Sequence, residues 1–260
     1  MKSNYRKVLD FCRCAGHPTY DVMQLDIFAR CPDRVKLRVA LIREEYGELR
    51  DAVRETNFVE VIDALTDIQY VAYGAGAEFG IDLDQTFECV HRLRVMHCGR
   101  GDYSKDSEVT NYEKVRDFNN AVAVPGDIFS KPDVVERQLK LIGDQVGELE
   151  RCVGDGNFIG VLISLTSIVY ATYEAAVEFG IDLDGSFDIV HKSNMTKFCL
   201  DEAEAVETVE WYRKQFEESK LKYRSPAYRR SSDGVHWVVY DKDTDKALKS
   251  IKYTPAKFIC

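Results

Sequence analysis

The sequence has no excess of positive charge. Its 35 lysine and arginine residues are outnumbered by 44 aspartate and glutamate residues, which gives a formal net charge of −9. General nucleic-acid binders grip the phosphate backbone with clustered Lys and Arg, so this charge argues against a nucleic-acid partner. A nucleotide whose phosphates are bound to metal ions remains an acceptable ligand.

Long apolar runs are also lacking. The N-terminal residues MKSNYRKVLDFCRC contain no long apolar run after the basic residues, and no stretch approaches the roughly 20 apolar residues of a membrane span. These absences predict a cytoplasmic protein without a membrane partner. The chain of 260 residues is long enough to bury one large core or two small ones.

The eight cysteines form no CxxC pair. Because no signal peptide precedes them, we expect them to stay reduced, and we predict no disulfide framework. Cys12, Cys14 and Cys31 together with His17 leave zinc binding as an alternative. The CxC spacing disfavours it, since it is unusual for a structural zinc site and no second ligand pair follows.

An internal repeat is the most informative feature that the sequence does contain. AEFGIDLD at residues 77–84 returns as VEFGIDLD at residues 177–184, an offset of 100 positions. The short segments GEL (47–49), NF (57–58) and VH (90–91) recur at the same offset. Further upstream, NYRKVLDF from Asn4 resembles NYEKVRDF from Asn111. A repeat at a fixed period indicates two copies of one structural unit, which fill roughly residues 1–200.

Within each copy the apolar spacing is helical. The first copy has two stripes with the i, i+3, i+4, i+7 spacing of a core-facing helix, namely Val35, Val39, Ile42 and Leu49, then Val61, Leu65, Ile68 and Val71. The second copy predicts helices near 133–153, 158–179 and 184–197. We expect Gly80 to end a helix in the left-handed conformation and Asp82 to cap the next one.

The pattern changes after residue 200. Residues 202–220 predict a charged helix, and residues 236–240 followed by 241–245 predict a short strand and a turn. Helices with one apolar face cannot be buried alone, so the two copies should pack into one all-α helical bundle. The predicted organisation is a first repeat at 1–100, a second repeat at 101–200, and a small C-terminal helix and strand/turn extension at 201–260.

Acidic residues cluster on the two long helices of the first copy. They are Glu44, Glu45 and Glu48 within one turn, then Glu60, Asp63 and Asp67 on the next helix. The glutamate triplet alone fits a solvated helix face. Asp63 and Asp67 interrupt an apolar run, where carboxylates repel one another unless a cation or donors compensate. Mg²⁺ prefers oxygen ligands and bridges to substrate phosphates, so it is the expected ion, with Mn²⁺ as the alternative.

The second copy serves as a control within the same chain. Where the first copy has Glu44, Glu45, Glu60, Asp63 and Asp67, the second has Asp144, Gln145, Gly160, Ile163 and Ser167. Acids that were needed to build the bundle would be needed in both copies. The cluster is therefore interpreted as chemical rather than architectural, with one site per chain.

Four segments resemble a known family. EEYGEL at 44–49 and EVIDALTDIQYV at 60–71 resemble the ExxE…ExxD signature of the all-α nucleoside triphosphate pyrophosphohydrolases, which include MazG-like and phosphoribosyl-ATP pyrophosphohydrolase-like proteins. VHKSNMTK at 190–197 resembles the VHxSNMxK motif of the latter group, whereas the first copy reads VHRLRVMH. The tail at 245–255 resembles the basic segment that follows this motif.

The resemblance implies a magnesium-dependent hydrolase that cleaves a nucleoside triphosphate or related nucleotide to monophosphate and pyrophosphate. It implies a fused pseudo-dimer with one composite site, in which the first copy holds the metal and the second supplies the NMxK segment. The implied metal ligands are Glu45, Glu48, Glu60 and Asp63, with Asp67 as an additional candidate. Glu44 would position or deprotonate the attacking water, and the implied phosphate contacts are Asn194, Lys197, Lys249 and Lys252.

Several alternatives stay open at this stage. The second copy could be a packing partner only, and the chain could be a catalytically weak nucleotide-binding or scaffold protein on the same fold. His91 and His191 occupy equivalent places, which favours a structural hydrogen bond over catalysis. Phe11, His17 and Tyr70 could line a base pocket. Hydrolysis of phosphoribosyl-ATP in histidine synthesis is a third possibility. The preferred nucleotide is not determined, and a homodimer of the fused chain is left open.

Overall fold

The computed structural model describes residues 2–98, 109–119, 128–218, 220–244 and 246–258. Helices dominate these residues, and the strands among them form one two-stranded sheet. The predicted all-α class with a C-terminal strand extension is therefore confirmed. The predicted boundary between the repeats, at residues 100 and 101, lies outside the described residues, as does Cys260.

The N-terminal half contains five helices within the described residues: α1 (Asn4–Ala15), α2 (Ile27–Arg30), α3 (Pro32–Arg54), α4 (Phe58–Phe79) and α5 (Leu83–His97). Asn57 caps α4 by accepting a hydrogen bond from the Glu60 amide, and proline begins α3. Gly80 ends α4 at φ 73°, and Asp82 caps α5 by accepting from two backbone amides. Both expectations for these two residues are confirmed.

The second half repeats this order with α6 (Asn111–Asn119), α7 (Pro132–Gly154), α8 (Phe158–Phe179) and α9 (Leu183–Met195), with one 3-10 turn (Ile128–Ser130) before α7. Asn157 and Asp182 cap α8 and α9, and Gly180 ends α8 at φ 69°. The predicted third helix extended to residue 197. Helix α9 ends at Met195 instead, so Lys197 lies in the turn that follows.

The two halves share one hydrophobic core. Helices α4 and α8 pack against each other at its centre, and each half gives its third helix to the other, with α9 against α4 and α5 against α8. This exchange brings residues of both halves to the same surfaces. It matters for function, because the acids of the first half and the NMxK segment of the second occupy adjoining helices.

Matching hydrogen bonds join the halves at the FGIDLD segments. Asp84 accepts from the backbone amide of Tyr5 at 3.1 Å and from the Asn111 side chain of the second half at 3.4 Å. Asp184 accepts from the backbone amide of Tyr112 at 3.0 Å and from the Asn4 side chain at 2.7 Å. Buried carboxylates that accept several hydrogen bonds fix helix ends in place. The second aspartate of each motif is thus structural.

The C-terminal extension contains helix α10 (Glu202–Glu217) and an antiparallel hairpin of β1 (Pro226–Arg230) and β2 (Trp237–Asp241). The helix ends before the predicted residue 220. Strand β2 was predicted one residue early, and β1 was not predicted, because PAYRR lacks the alternation that marks a half-buried strand. The extension packs its own small core of α10 and β2 residues.

One expectation about apolar runs needs correction. Among the described helices, Phe158–Phe179 is long and apolar enough to cross a membrane by length and composition. Of its most apolar window, 67% is buried inside the protein, because α8 packs against α4 and α7. A central helix surrounded by other helices is apolar on all sides for that reason.

Candidate active site

The acidic residues lie on the packed pair α3 and α4. Glu45 from α3 and Asp63 and Asp67 from α4 are half-buried, whereas Glu44, Glu48 and Glu60 are exposed. The apolar neighbours of the aspartates, such as Ile62 and Leu65, are buried in the core. The cluster therefore reaches from solvent at Glu48 and Glu60 to the protein interior at Asp67.

Electrostatic strain is concentrated at the inner end of this cluster. Burial, reinforced by repulsion from Asp67 and the neighbouring glutamates, raises the pKa of Glu45 to about 8. Burial and the nearby Asp63 raise the pKa of Asp67 to about 7, and burial together with Glu60 and Glu48 raises that of Asp63. Carboxylates with raised pKa values in one cleft are typical of functional sites. These raised pKa values indicate that neighbouring side chains do not fully compensate the negative charge of the cluster.

The positive charge that does face the cluster comes from the second half of the chain. Lys197 follows α9 and is half-buried. Its charge lowers the pKa of Asp67, while burial lowers the pKa of Lys197 itself against the opposing effects of Asp67 and Glu45. Asn194, three residues earlier, lies beside the Tyr70 hydroxyl on α4 and lowers the pKa of that hydroxyl against the effect of burial. The NMxK segment therefore adjoins the acidic cluster.

Aromatic side chains surround Lys197. Its ammonium lies 5.8 Å from the centre of the Phe11 ring, and Phe11 packs edge-on against Tyr70 and His17 with ring centres 5.7 and 6.2 Å apart. The structure thus brings together the three residues suggested for a base pocket. Tyr70 is only 7% exposed, and its hydroxyl is 3.2 Å from Nδ1 of His191.

The two remaining predicted phosphate contacts lie in the C-terminal segment. Lys249 is close enough that its charge contributes to the lowered pKa of Lys197. Lys252 instead forms an ion pair with the buried Glu204 of α10, at 3.4 Å. Lys249 therefore lies near Lys197, whereas Lys252 is paired with Glu204.

The equivalent surface of the second half is built differently. Ile163, at the place of Asp63, is 57% exposed, and Glu148 pairs with Arg151 where the first half has Asp51. A Cβ added to Gly160 would lie 2.4 Å from the Cys152 sulfur, so a glutamate does not fit there without rearrangement. Most of the acids are thus absent from the second half, and the position of one of them is closed.

An arginine occupies the region that corresponds to Asn194. Arg94 from α5 donates to Glu174 at 2.7 Å and stacks 4.0 Å from the centre of the Tyr170 ring. The histidines make the same contact in both halves. Nδ1 of His91 lies 3.0 Å from the Tyr170 hydroxyl, and Nδ1 of His191 lies 3.2 Å from the Tyr70 hydroxyl. This matches the structural hydrogen bond expected from the repeat.

The acidic cluster fits magnesium rather than zinc. Its donors are all carboxylate oxygens, and Mg²⁺ is commonly held by one or two carboxylates, several waters and substrate phosphates. In the part of the chain that the structure describes, one group of three ligand-type side chains has its donor atoms within 4.8 Å of one another, and it consists of Cys14, Asp233 and His236. The zinc set suggested by the sequence does not assemble.

Hydrogen bonding explains this other group. Asp233 accepts from the backbone amides of Val235 and His236, and its second oxygen lies 2.6 Å from Nδ1 of His236. Ligands around a tetrahedral zinc stand about 3.3 Å apart, given metal–ligand distances near 2.0 Å. The aspartate and histidine are thus directly hydrogen-bonded and hold the β1–β2 hairpin turn.

The raised carboxylate pKa values predict how metal-free stability depends on pH. The pKa values of Glu45 and Asp67, about 8 and about 7 in the folded protein, are near 4 in unfolded chains. Between these values the folded state binds more protons, so the free energy of unfolding should fall as pH rises from about 5 to about 8. Thermal melts in EDTA across this range measure it. Glu45→Gln, the residue of the second half, should flatten the slope, and an unchanged slope would contradict the assignment.

Known proteins can now be compared with this arrangement. Residues 27–94, which span α2 to α5 and carry every acid of the cluster, match the family model described as phosphoribosyl-ATP pyrophosphohydrolase. The chain is also 38% identical over 251 residues to "Uncharacterized protein L479" of Acanthamoeba polyphaga mimivirus, across 95% of this chain and 91% of that protein. Residues 27–94 therefore form a domain of the phosphoribosyl-ATP pyrophosphohydrolase family. No solved structure matches it.

Membership of the phosphoribosyl-ATP pyrophosphohydrolase family, within the MazG-like superfamily, supports a nucleotide pyrophosphohydrolase-like function. The family model matches the half that carries the acids and does not extend over the second half. The contact between Tyr70 and His191 was not predicted from the sequence. The repeat could have indicated this contact, because Tyr70 and Tyr170 are offset by 100 positions, as are His91 and His191.

Proposed function

We propose that the protein hydrolyses a nucleoside triphosphate to the monophosphate and pyrophosphate at one composite site per chain. Water attacks the α-phosphorus, the bond to the bridging oxygen breaks, and pyrophosphate leaves. The observation that carries the proposal is the packing of α9 on α4, which brings Lys197 near enough to Asp67 and Glu45 for their charges to affect its pKa. A polyphosphate that binds with metal ions needs acids to hold the ions and a cation to neutralise the phosphate oxygens.

The acids have distinct roles in this proposal. Glu45, Glu48, Glu60 and Asp63 would hold Mg²⁺ or Mn²⁺, and Asp67 would support them from the interior. When bound, the ion neutralises charge on the phosphates and lowers the pKa of coordinated water. Glu44 is exposed at the outer edge of the cluster, where it can orient the attacking water and accept its proton.

The second half supplies the cationic side of the site. Lys197 is already desolvated and faces carboxylates, so its charge acts in a medium of low dielectric, where it stabilises a developing phosphate charge more than in water. The Tyr70 hydroxyl lies 3.2 Å from Nδ1 of His191, and this contact fixes α9 relative to α4. The second half therefore takes part in chemistry as well as in packing.

Magnesium should stabilise the folded protein measurably. Because the pKa values of Glu45, Asp63 and Asp67 are raised by burial and mutual repulsion, a bound divalent cation removes an unfavourable interaction present only in the native state. At a concentration 100 times its Kd, the ion should add about 2.7 kcal/mol to the free energy of unfolding. Melting curves with and without MgCl₂ measure the shift, and Asp63→Ile should remove most of it.

Release of pyrophosphate separates this function from a catalytically weak nucleotide-binding or scaffold role. The protein is incubated with ribo- and deoxyribonucleoside triphosphates and with phosphoribosyl-ATP, with MgCl₂ and with EDTA, and pyrophosphate and monophosphate are measured. We expect equimolar products that require the metal. Nucleotide binding without turnover under all of these conditions would instead favour the scaffold.

A further inference from the structure

A cavity of about 580 Å³ opens beside α10, in the extension that the family resemblance leaves without a role. Trp211 of α10 forms one side, and Lys249 and Tyr253 of the C-terminal segment form another. The Trp211 side chain is 43% exposed although it belongs to the largest aromatic type. An exposed indole beside a concave, partly charged surface is a typical binding feature for a planar ligand.

The cavity shares a wall with the proposed active site. The segment 249–254 lines the cavity on one side and is bonded to the end of α9 on the other. The Ser250 amide donates to the carbonyl of Lys197 at 3.0 Å, and the Ser193 hydroxyl donates to the carbonyl of Thr254 at 2.8 Å. The backbone of this wall is therefore hydrogen-bonded directly to the backbone of Lys197.

Positive charge continues along this wall. The Lys249 ammonium lies 4.3 Å from the centre of the Tyr253 ring, in a cation–π contact that holds it at the cavity edge. The Tyr212 hydroxyl donates to the Lys249 carbonyl at 3.1 Å and fixes the backbone beneath it. Starting at the acidic cluster, the positively charged side chains are therefore Lys197 and then Lys249. This order suits a chain of phosphates.

We propose that this cavity binds the base and sugar of the nucleotide, with the base stacked on Trp211 and the phosphates passing Lys249 toward Lys197. The proposal rests on the proposed function, because it uses the same site for the phosphates. Stacking on an aromatic ring accepts every base, since each has a π face. Glu207 and Glu210 line the same cavity and can accept hydrogen bonds from amino groups of a base.

The competing location is the aromatic cluster around Phe11. There the Phe11 ring packs against Phe198 and Tyr70, with ring centres 5.3 and 5.7 Å apart. A base could enter only if these rings separated, whereas the Trp211 cavity is already open. The two locations make different predictions for a base-free polyphosphate and for substitutions at Trp211.

Tryptophan fluorescence tests where the base binds without requiring turnover. The probes are α,β-methylene analogues of the ribo- and deoxyribonucleoside triphosphates, which cannot be cleaved at the scissile bond, and inorganic triphosphate as the base-free control. We expect at least one nucleotide analogue to quench the wild type with saturation. We expect inorganic triphosphate to leave its fluorescence unchanged. In Trp211→Phe, only Trp237 remains, and the quench should disappear.

Kinetics supplies the second measurement. Trp211→Ala should raise KM for the nucleotide about 5- to 150-fold, the range that corresponds to one lost base–aromatic stack, with kcat changed less than about threefold. Phe216→Ala is the matched control, because Phe216 is an exposed aromatic on the same helix and does not line the cavity. It should leave both constants unchanged.

The outcomes separate this inference from the proposed function. Hydrolysis with an unchanged KM in Trp211→Ala, or a quench that persists in Trp211→Phe, would overturn the base site and leave the activity intact. A Trp211-dependent quench in a protein that releases no pyrophosphate would keep the base site and overturn the activity. Equal quenching by inorganic triphosphate, or no quench by any analogue, would also reject the base site.

Discussion

Glu48→Ala and Asp63→Ala should each lower pyrophosphate release at least about 1,000-fold, because a metal ion contributes several kcal/mol to stabilisation of phosphoryl-transfer charge. The two residues come from different helices, α3 and α4, so neither can replace the other as a ligand donor. Initial rates at saturating MgCl₂, with matched circular dichroism spectra, measure the loss.

The second half provides the control for this expectation. Glu148→Ala changes the residue equivalent to Glu48, yet Glu148 is already paired with Arg151 and faces no aspartate of the kind found at Asp63. We expect activity within about threefold of wild type, in the range of a surface substitution. Equal losses from Glu48→Ala and Glu148→Ala in folded proteins would contradict a single acidic site. Full activity of either first-half variant would remove the cluster from the reaction.

Local signals predicted most of the helical framework. The spacing of apolar residues located the long helices within a few residues, and the turn chemistry of Gly80 and Asp82 marked the junction of α4 and α5 correctly. These signals worked because each depends on neighbours in sequence. The hairpin strand β1 was missed, because its register depends on pairing with β2 and on contacts outside the segment.

The composition of the site was also predictable, but its arrangement was not. The contrast between Asp63 and Ile163 identified the acidic half by comparison within one chain. The family resemblance implied that the NMxK segment would complete the acidic site, but no local pattern determined that α9 packs on α4 rather than on α8. This exchange is what brings Lys197 near Asp67. Helix exchange between repeats is a property of tertiary packing, and local patterns carry no information about it.

Lys197→Ala tests whether that exchange has a catalytic purpose. Lys197 is the cation that faces Asp67, and we expect its removal to reduce turnover by one to three orders of magnitude, at about 1.4 kcal/mol per tenfold. The free energy of unfolding should change by less than about 1 kcal/mol, because the cost of burying the ammonium offsets its attraction to the carboxylates. Steady-state rates and melting curves give both quantities.

His97→Ala is the matched control, since His97 occupies the equivalent position in the first half but is exposed at the end of α5, on the side where Ile163 and Ser167 replace the acids. It should leave turnover within about threefold of wild type, as expected for a surface substitution. The metal-free pH dependence adds a readout that packing alone would not move. Lys197 lowers the pKa of Asp67, so Lys197→Ala should raise that pKa further and extend the loss of stability to higher pH. If Lys197→Ala retains wild-type turnover, the second half contributes packing only and the composite site is wrong.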